Sequence, residues 1–396
     1  MSWTPLVSFF VLILIFCIGE EISAKTRSVL SLVLVSALLH LLGYWTGLIP
    51  VDSVVNTGMP GMLASFGLAI MVTNLGTMID LNQLLGEWKV VLICFFALFG
   101  LAVGCFTVGS AIFGREYALV AAAPIAGGNV ACTIVGEACE NAGRSDLAGY
   151  AAIITTLQCL VGLPAVAVLL NRQLKFMQTR GMLKSREALL SMVPGEKTLP
   201  QIGRHSFKNM PKWWTRPYPM LARLALIAIL SQFVSNVTGI PTAICWLVLG
   251  ILCYQVGFLE KTTLQAGGFY PFFLLLQLSN IPKLLAGVTW DAFKGMIIPV
   301  VGMLLLGGLS LAVFGMIAGK VLRVPVRIAA STALCAMLGY PYTLLMTEDA
   351  VGAMEGSDAE KELAKGYILP KMLVAGFITV TLASVAFADI ITPMIF

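Results

Sequence analysis

The chain has few charged residues. Asp, Glu, Lys and Arg make up 11% of its 396 residues, against about 25% in a typical soluble protein. Hydrophobic residues make up 58%. A chain of this composition does not form a soluble domain, and its length allows ten or more membrane spans of about 20 residues each. The composition therefore predicts a polytopic membrane protein.

Residues that many enzymes and pumps require are also scarce. Only His40 and His205 are present, which excludes bis-histidine haem and HExxH zinc chemistry. The sequence contains neither a Walker-type GxxxxGK loop for ATP nor a GxSxG nucleophile elbow, and its nine Cys residues form no CxxC pair. We therefore expect neither an enzyme nor a bound cofactor.

Positive charge is concentrated in one segment. Residues 172–223 hold 11 of the 25 Lys and Arg residues but only two acids, Glu187 and Glu196. Basic loops of membrane proteins stay in the cytoplasm, and this explains the segment better than a nucleic-acid site does. We interpret 172–216 as a basic cytoplasmic linker between a first transmembrane repeat, 1–171, and a second, 217–396.

Each half contains six apolar segments that are too long for barrel strands and are therefore expected to be helices. In the first half they are 3–19, 28–49, 58–79, 90–113, 117–138 and 147–170. In the second half they are 219–238, 241–258, 268–282, 293–321, 327–350 and 366–388. If all six crossed the membrane, the two halves would point the same way. If the fifth is a re-entrant hairpin, each half crosses five times and the repeats are inverted.

Both fifth segments are interrupted in the middle. The first contains Gly127-Gly128-Asn129 and the second Gly339-Tyr340-Pro341. We favour hairpins here. The expected fold is all-α, with two inverted repeats of about five spans plus a Gly-broken re-entrant hairpin or discontinuous helix. Paired, interrupted segments in matching places are the best sequence pointer to a transporter's binding site.

An interrupted helix also indicates which kinds of ligand bind at the break. Freed N–H groups at a half-helix N-terminus attract an anion, and freed carbonyls coordinate a small cation. Lys371, inside the last apolar segment, is expected to face an anionic substrate or a carboxylate such as Glu348; snorkelling to the interface is the alternative. The predicted substrate-binding residues are Gly127, Gly128, Asn129, Gly339, Tyr340, Tyr342, Thr343 and Lys371.

Paired polar residues predict cation sites. Asn74 and Asn280 occupy matching positions in the two halves. Their amide oxygens suit sodium, although such groups also form interhelical hydrogen bonds of about 0.6 kcal/mol each. The predicted sodium ligands are Thr73, Asn74, Thr155, Thr156, Ser279 and Asn280, and the candidate proton or ion carriers are Glu137 and Glu348.

This arrangement of two halves, each with a Gly-broken hairpin before a final span, resembles the glutamate–sodium symporters and 2-hydroxycarboxylate transporters. Those families carry a Gly-Gly-X-Gly signature in each hairpin. Here Gly127-Gly128-Asn129-Val130 lacks the last Gly, and Leu338-Gly339-Tyr340-Pro341 keeps only one. The resemblance implies a homodimer in a bacterial inner membrane that works as an elevator, with a hairpin-bearing domain sliding against a fixed scaffold.

The expected function is therefore sodium-coupled symport of a small organic anion, a carboxylate such as glutamate. The expected partners are that anion, sodium and membrane lipid, without nucleic acid. A proton-coupled antiporter or exporter that uses Glu137 or Glu348 is the alternative. A passive channel is a weaker alternative, because an internal inverted repeat is typical of carriers.

Overall fold

The computed structural model describes residues 3–26, 32–78, 85–183, 211, 213–240, 242–339, 342–379 and 384–395. Every regular element within those ranges is a helix. Seven of these helices are long and apolar enough to cross a membrane. The protein is therefore an all-α polytopic membrane protein, and the prediction from composition is confirmed.

The first half contains six long helices that match the six apolar segments. They are α1 (Pro5–Lys25), α2 (Leu32–Trp45), α3 (Met59–Met78), α4 (Trp88–Phe113), α5 (Arg115–Asn141) and α6 (Ser145–Thr179). Helix α6 continues past residue 171, so the predicted linker begins as helix. Residues 184–210 of that linker lie outside the described ranges.

The second half contains α7 (Pro217–Thr238), α8 (Thr242–Val256), α9 (Tyr270–Leu285), α10 (Trp290–Val321), α11 (Val326–Leu334), α12 (Tyr342–Gly352), α13 (Asp358–Ile378) and α14 (Ser384–Ile395). The apolar segment expected over 366–388 has different bounds in the structure: α13 begins at Asp358 and α14 continues to Ile395, and residues 380–383 between them lie outside the described ranges. A capping box between Ser357 and Glu360 starts α13 in polar sequence, before the apolar run begins.

Large apolar side chains cover the outward faces of several helices. Leu6 of α1 is 76% exposed and Ile298 of α10 is 71% exposed. Contiguous apolar surface of this kind is rare on soluble proteins and is what a bilayer requires. These faces are therefore the surfaces that meet lipid.

Buried apolar side chains form two large groups and one small one. The larger group joins α4, α5, α6 and α10 to α14 with parts of α2 and the end of α9, and the second joins α1, α3, α7 and the start of α9. A small cluster lies between them, where Val130 of α5 and Val385 of α14 pack against Val72, Leu247 and Ile251. The helices therefore form two bodies, which α2, α9 and this small cluster connect.

Arg223 of α7 is buried, although it is the last residue of the basic stretch 172–223. Its side chain is 4% exposed and its Nη2 lies 2.7 Å from Glu260 Oε2. The guanidinium also donates to the carbonyls of Trp214 and Phe258 and lies over the Trp214 ring. Arg223 thus fixes the end of the linker to the loop after α8.

We expect Arg223→Lys to lower thermal stability, because an ammonium keeps the charge but not the planar fork of donors. Losing two such hydrogen bonds costs about 2 kcal/mol. Thermal unfolding in detergent, followed by size-exclusion chromatography, measures the effect. Arg216→Lys at an exposed position is the matched control. Equal midpoints of thermal unfolding for both variants would show that the guanidinium hydrogen bonds contribute nothing to stability.

Candidate functional site

Helix α5 turns back on itself at Gly128. This glycine has φ 63° and ψ −138°, outside the helical region, in the middle of a 27-residue element. Arg144 Nη2 lies 2.8 Å from Glu116 Oε2, although the two residues are 28 positions apart. A straight helix would hold them about 42 Å apart. Residues 115–144 therefore form a helical hairpin, the first hairpin, with Gly128 at its tip.

Helices α11 and α12 form a second hairpin, 326–352, with its break at Gly339. Gly339 has φ 69° and its carbonyl accepts a hydrogen bond from Thr343 N. The guanidinium of Arg327 lies 5.2 Å from the centre of the Phe176 ring. The carbonyl of Glu355, just past α12, accepts a hydrogen bond from Gln178. Both ends of the second hairpin therefore lie at the C-terminal end of α6.

The two hairpins enter from opposite ends of α6 and reach its middle. The base of the first hairpin lies at the N-terminal end of this helix, where Arg144 also pairs with Asp146. A Cβ atom on Gly128 would lie 3.4 Å from Gln158 Nε2, and one on Gly162 would lie 2.8 Å from Leu338 Cδ2. Gln158 and Gly162 are one helical turn apart. The two tips therefore lie close together, deep inside the protein.

The last two helices contact the tips as α6 does. A Cβ atom on Gly127 would lie 1.7 Å from Ser384 Cβ at the start of α14. One on Gly376 of α13 would lie 2.6 Å from Thr343 Oγ1. Each tip is thus enclosed by α6 on one side and by the final helices on the other.

Polar atoms without partners surround the tips. Gln158 Oε1 and Thr343 Oγ1 are buried and have no hydrogen-bond partner among the described residues. Gly128, Asn129 and Tyr342 are partly exposed. Buried polar groups are normally hydrogen-bonded, so unpaired ones call for an explanation such as a ligand. Tyr340, the remaining residue predicted for this site, lies outside the described residues.

The structure separates the predicted sodium ligands. Asn74 Oδ1 accepts a hydrogen bond of 2.8 Å from Leu264 N, and its Nδ2 donates to Gln265. Asn280 instead donates to Thr133 Oγ1 of the first hairpin at 3.2 Å, and its Oδ1 has no partner in the described part of the chain. The hydroxyls of the remaining four residues donate to carbonyls of their own helices. They are Thr73, Thr155, Thr156 and Ser279.

Lys371 is buried, but its carboxylate partner is not the one expected. Its Nζ lies 3.0 Å from Glu87 Oε1, with side chains that are 6% and 18% exposed. The ammonium also lies 4.2 Å from the centre of the Tyr367 ring. Lys371 thus faces a carboxylate as expected, but Glu348, the example given, pairs instead with Lys365 at the surface. The charged loop after Glu348 supplies a nearer lysine, which holds this carboxylate at the base of the second hairpin.

Glu137 lies on the outgoing half of the first hairpin and is partly buried. The neighbouring Glu140 forms an ion pair with Lys283 of α9, and both charges act on Glu137. The described residues contain no group of three or more His, Cys, Asp or Glu side chains suited to a metal ion.

Four residues near the site carried no predicted role. Gln158 lies in a polar stretch that matches the position of Lys371 in the other half. Glu87 and Lys283 are single charges at helix ends, and Ser384 follows a polar stretch in the last apolar segment. Only the position of Gln158 in the repeat gave a signal for a site residue.

A comparison with models of known protein families finds no match, and a comparison with curated proteins finds no similar sequence.

Proposed function

We propose that this protein is a secondary active transporter, a sodium-coupled symporter for a small organic anion, a carboxylate such as glutamate. The observation that carries the proposal is the meeting of two glycine-broken hairpin tips against the middle of α6, beside unpaired polar atoms of Gln158 and Thr343. Broken helices at membrane depth are tolerated where protein or a watery cavity surrounds them. Transporters place their substrate and ion sites at such breaks.

The two halves form inverted repeats in this proposal. Each half has five spanning elements and one re-entrant hairpin, with α13 and α14 together as the last span. The entry of the hairpins from opposite ends of α6 supports the inversion. The same arrangement puts Lys25, Lys320 and Arg323 on the side of the basic linker, which the positive-inside rule makes cytoplasmic. The membrane is then the inner membrane of a bacterium.

The chemistry of the first tip suits an anion and a cation together. The outgoing half-helix begins at Asn129, so its first N–H groups carry the positive end of a helix dipole. The incoming half ends near Gly127 with unsatisfied carbonyls, which are ligands for sodium. Opposite charges bound at adjacent half-helix ends would neutralise each other in the protein interior, which favours their joint transport.

In the proposed elevator mechanism, one of these two bodies would move against the other. The body with both hairpins would carry the bound substrate, and the body with α1, α3 and α7 would remain fixed. The small apolar cluster that contains Val130 and Val385 lies next to the tip of the first hairpin. A substrate at the tips would therefore lie at the boundary between the two bodies. The fixed body would form a homodimer.

Uptake into proteoliposomes tests the proposal. Purified protein is reconstituted, and the accumulation of labelled glutamate and other carboxylates is measured with an inward sodium gradient and with choline in its place. We expect accumulation only with sodium. Accumulation driven by a pH gradient without sodium would favour the proton-coupled alternative. Absence of any sodium-driven anion flux would refute the symporter.

A further inference from the structure

A polar stripe runs along the outgoing half of the first hairpin. Thr133, Glu137 and Glu140 are spaced four and three residues apart, so they share one face of this half-helix. Asn280 and Lys283 of α9 are three residues apart and face the same stripe, because they contact Thr133 and Glu140. Polar groups therefore line both sides of the contact between the first hairpin and α9.

Exposure decreases along the stripe from the surface to the tip. The side chains of Lys283 and Glu140 are 22% and 28% exposed. Thr133 and Asn280 are 1% and 0% exposed. The Thr133 hydroxyl donates to the carbonyl of Asn129, which belongs to the tip. The stripe thus leads from the rim of the first hairpin to the candidate substrate site.

The buried end of the stripe has an unused oxygen. Asn280 donates from Nδ2 to Thr133, but its Oδ1 has no partner among the described residues. An unpaired amide oxygen in a fully buried residue is costly, so it calls for a ligand. Thr133 Oγ1 is beside it, and Glu137, one turn along, supplies a carboxylate. Hard oxygen donors with one negative charge are the ligands that a small hard cation prefers.

We propose that the coupling cation binds between the first hairpin and α9, with Asn280 Oδ1, Thr133 Oγ1 and the Glu137 carboxylate as ligands. The Lys283–Glu140 ion pair stands at the mouth of this site and Asn129 at its inner end. The inference rests on the proposed function and assigns the ion to one hairpin only. The matching Asn74 is not its counterpart, since its amide oxygen already accepts the hydrogen bond from Leu264 N.

Sodium binding to purified protein tests this assignment without a substrate. The melting temperature is measured against sodium chloride, with choline chloride at equal ionic strength as the blank, because a ligand of the folded state raises it. We expect Thr133→Val, Asn280→Ala and Glu137→Gln to raise the half-saturating sodium concentration at least about tenfold. Thr133→Ser keeps the hydroxyl and is expected to bind like wild type. Thr107→Val, on an exposed face of α4, is the matched control.

The outcomes separate this inference from the proposed function. Sodium-driven uptake by wild type, together with unchanged half-saturating sodium in the three variants, would overturn the site and leave the symporter intact. Absence of sodium-driven uptake by wild type would overturn the symporter itself. The melting temperature measured without sodium identifies a variant that fails to fold. Thr133→Ser then shows whether sodium binding depends on the hydroxyl or only on the packing of the side chain.

Discussion

Gly127→Ala is expected to lower uptake at low substrate concentrations strongly while leaving a folded protein. Its new Cβ would lie 1.7 Å from Ser384 Cβ, so α14 or the tip of the first hairpin has to move. Overpacking of this kind costs about 1–3 kcal/mol in a packed interior. If a similar energy is lost from binding at the displaced tip, affinity falls about 5- to 140-fold, since 1.4 kcal/mol is tenfold.

Uptake and melting temperature are measured together to separate the two effects. Gly295→Ala is the matched control, because Gly295 lies in α10 with open space where its Cβ would be. We expect this control to transport like wild type. Normal uptake by Gly127→Ala would show that the tip tolerates displacement, and the tip would then not be the binding site.

Lys371→Met is expected to be strongly destabilising. It leaves the Glu87 carboxylate, 18% exposed, without its ion pair. Breaking a buried pair from one side costs about 3–5 kcal/mol, and the partial exposure of Glu87 favours the lower end. The double variant Lys371→Met with Glu87→Gln removes both charges and is expected to recover most of this loss in thermal unfolding.

The double variant also distinguishes a structural role of Lys371 from a role in substrate binding. Lys371 and Gly376, which contacts Thr343 of the second hairpin, are five residues apart in α13, a rise of about 8 Å between their Cα atoms. If Lys371 neutralises the substrate's carboxylate, the double variant is stable and does not accumulate anions. If the double variant transports like wild type, Lys371 serves only to pair with Glu87.

The helices and the two breaks could be predicted from the sequence because both depend on local signals. Long apolar runs define the spans. Gly127-Gly128 marks the first break since only glycine takes the backbone angles found at Gly128 without strain. The bounds of the last segment were not predictable from hydropathy, because the capping box that starts α13 lies in charged sequence.

The partners of the polar side chains could not be predicted, because they come from distant parts of the chain. Lys371 and Glu87 are 284 residues apart, and Asn280 and Thr133 are 147 apart. Repeat matching paired Asn74 with Asn280, yet their surroundings differ. Asn74 accepts a hydrogen bond from the short helix Thr263–Ala266, whereas Asn280 donates one to the first hairpin. Similar positions in two repeats therefore do not have the same role.

The most direct test of the account is the side of the membrane from which the base of each hairpin can be reached. Single cysteines replace Glu116, Arg144, Arg327 and Glu355 in a background without the nine native cysteines, and a membrane-impermeant thiol reagent is added to sealed vesicles of either orientation. We expect positions 116 and 144 to react only from the periplasmic side, and 327 and 355 only from the cytoplasmic side. Labelling of the two ends of one hairpin from opposite sides would contradict the account, because that segment would then cross the membrane and the repeats would not be inverted.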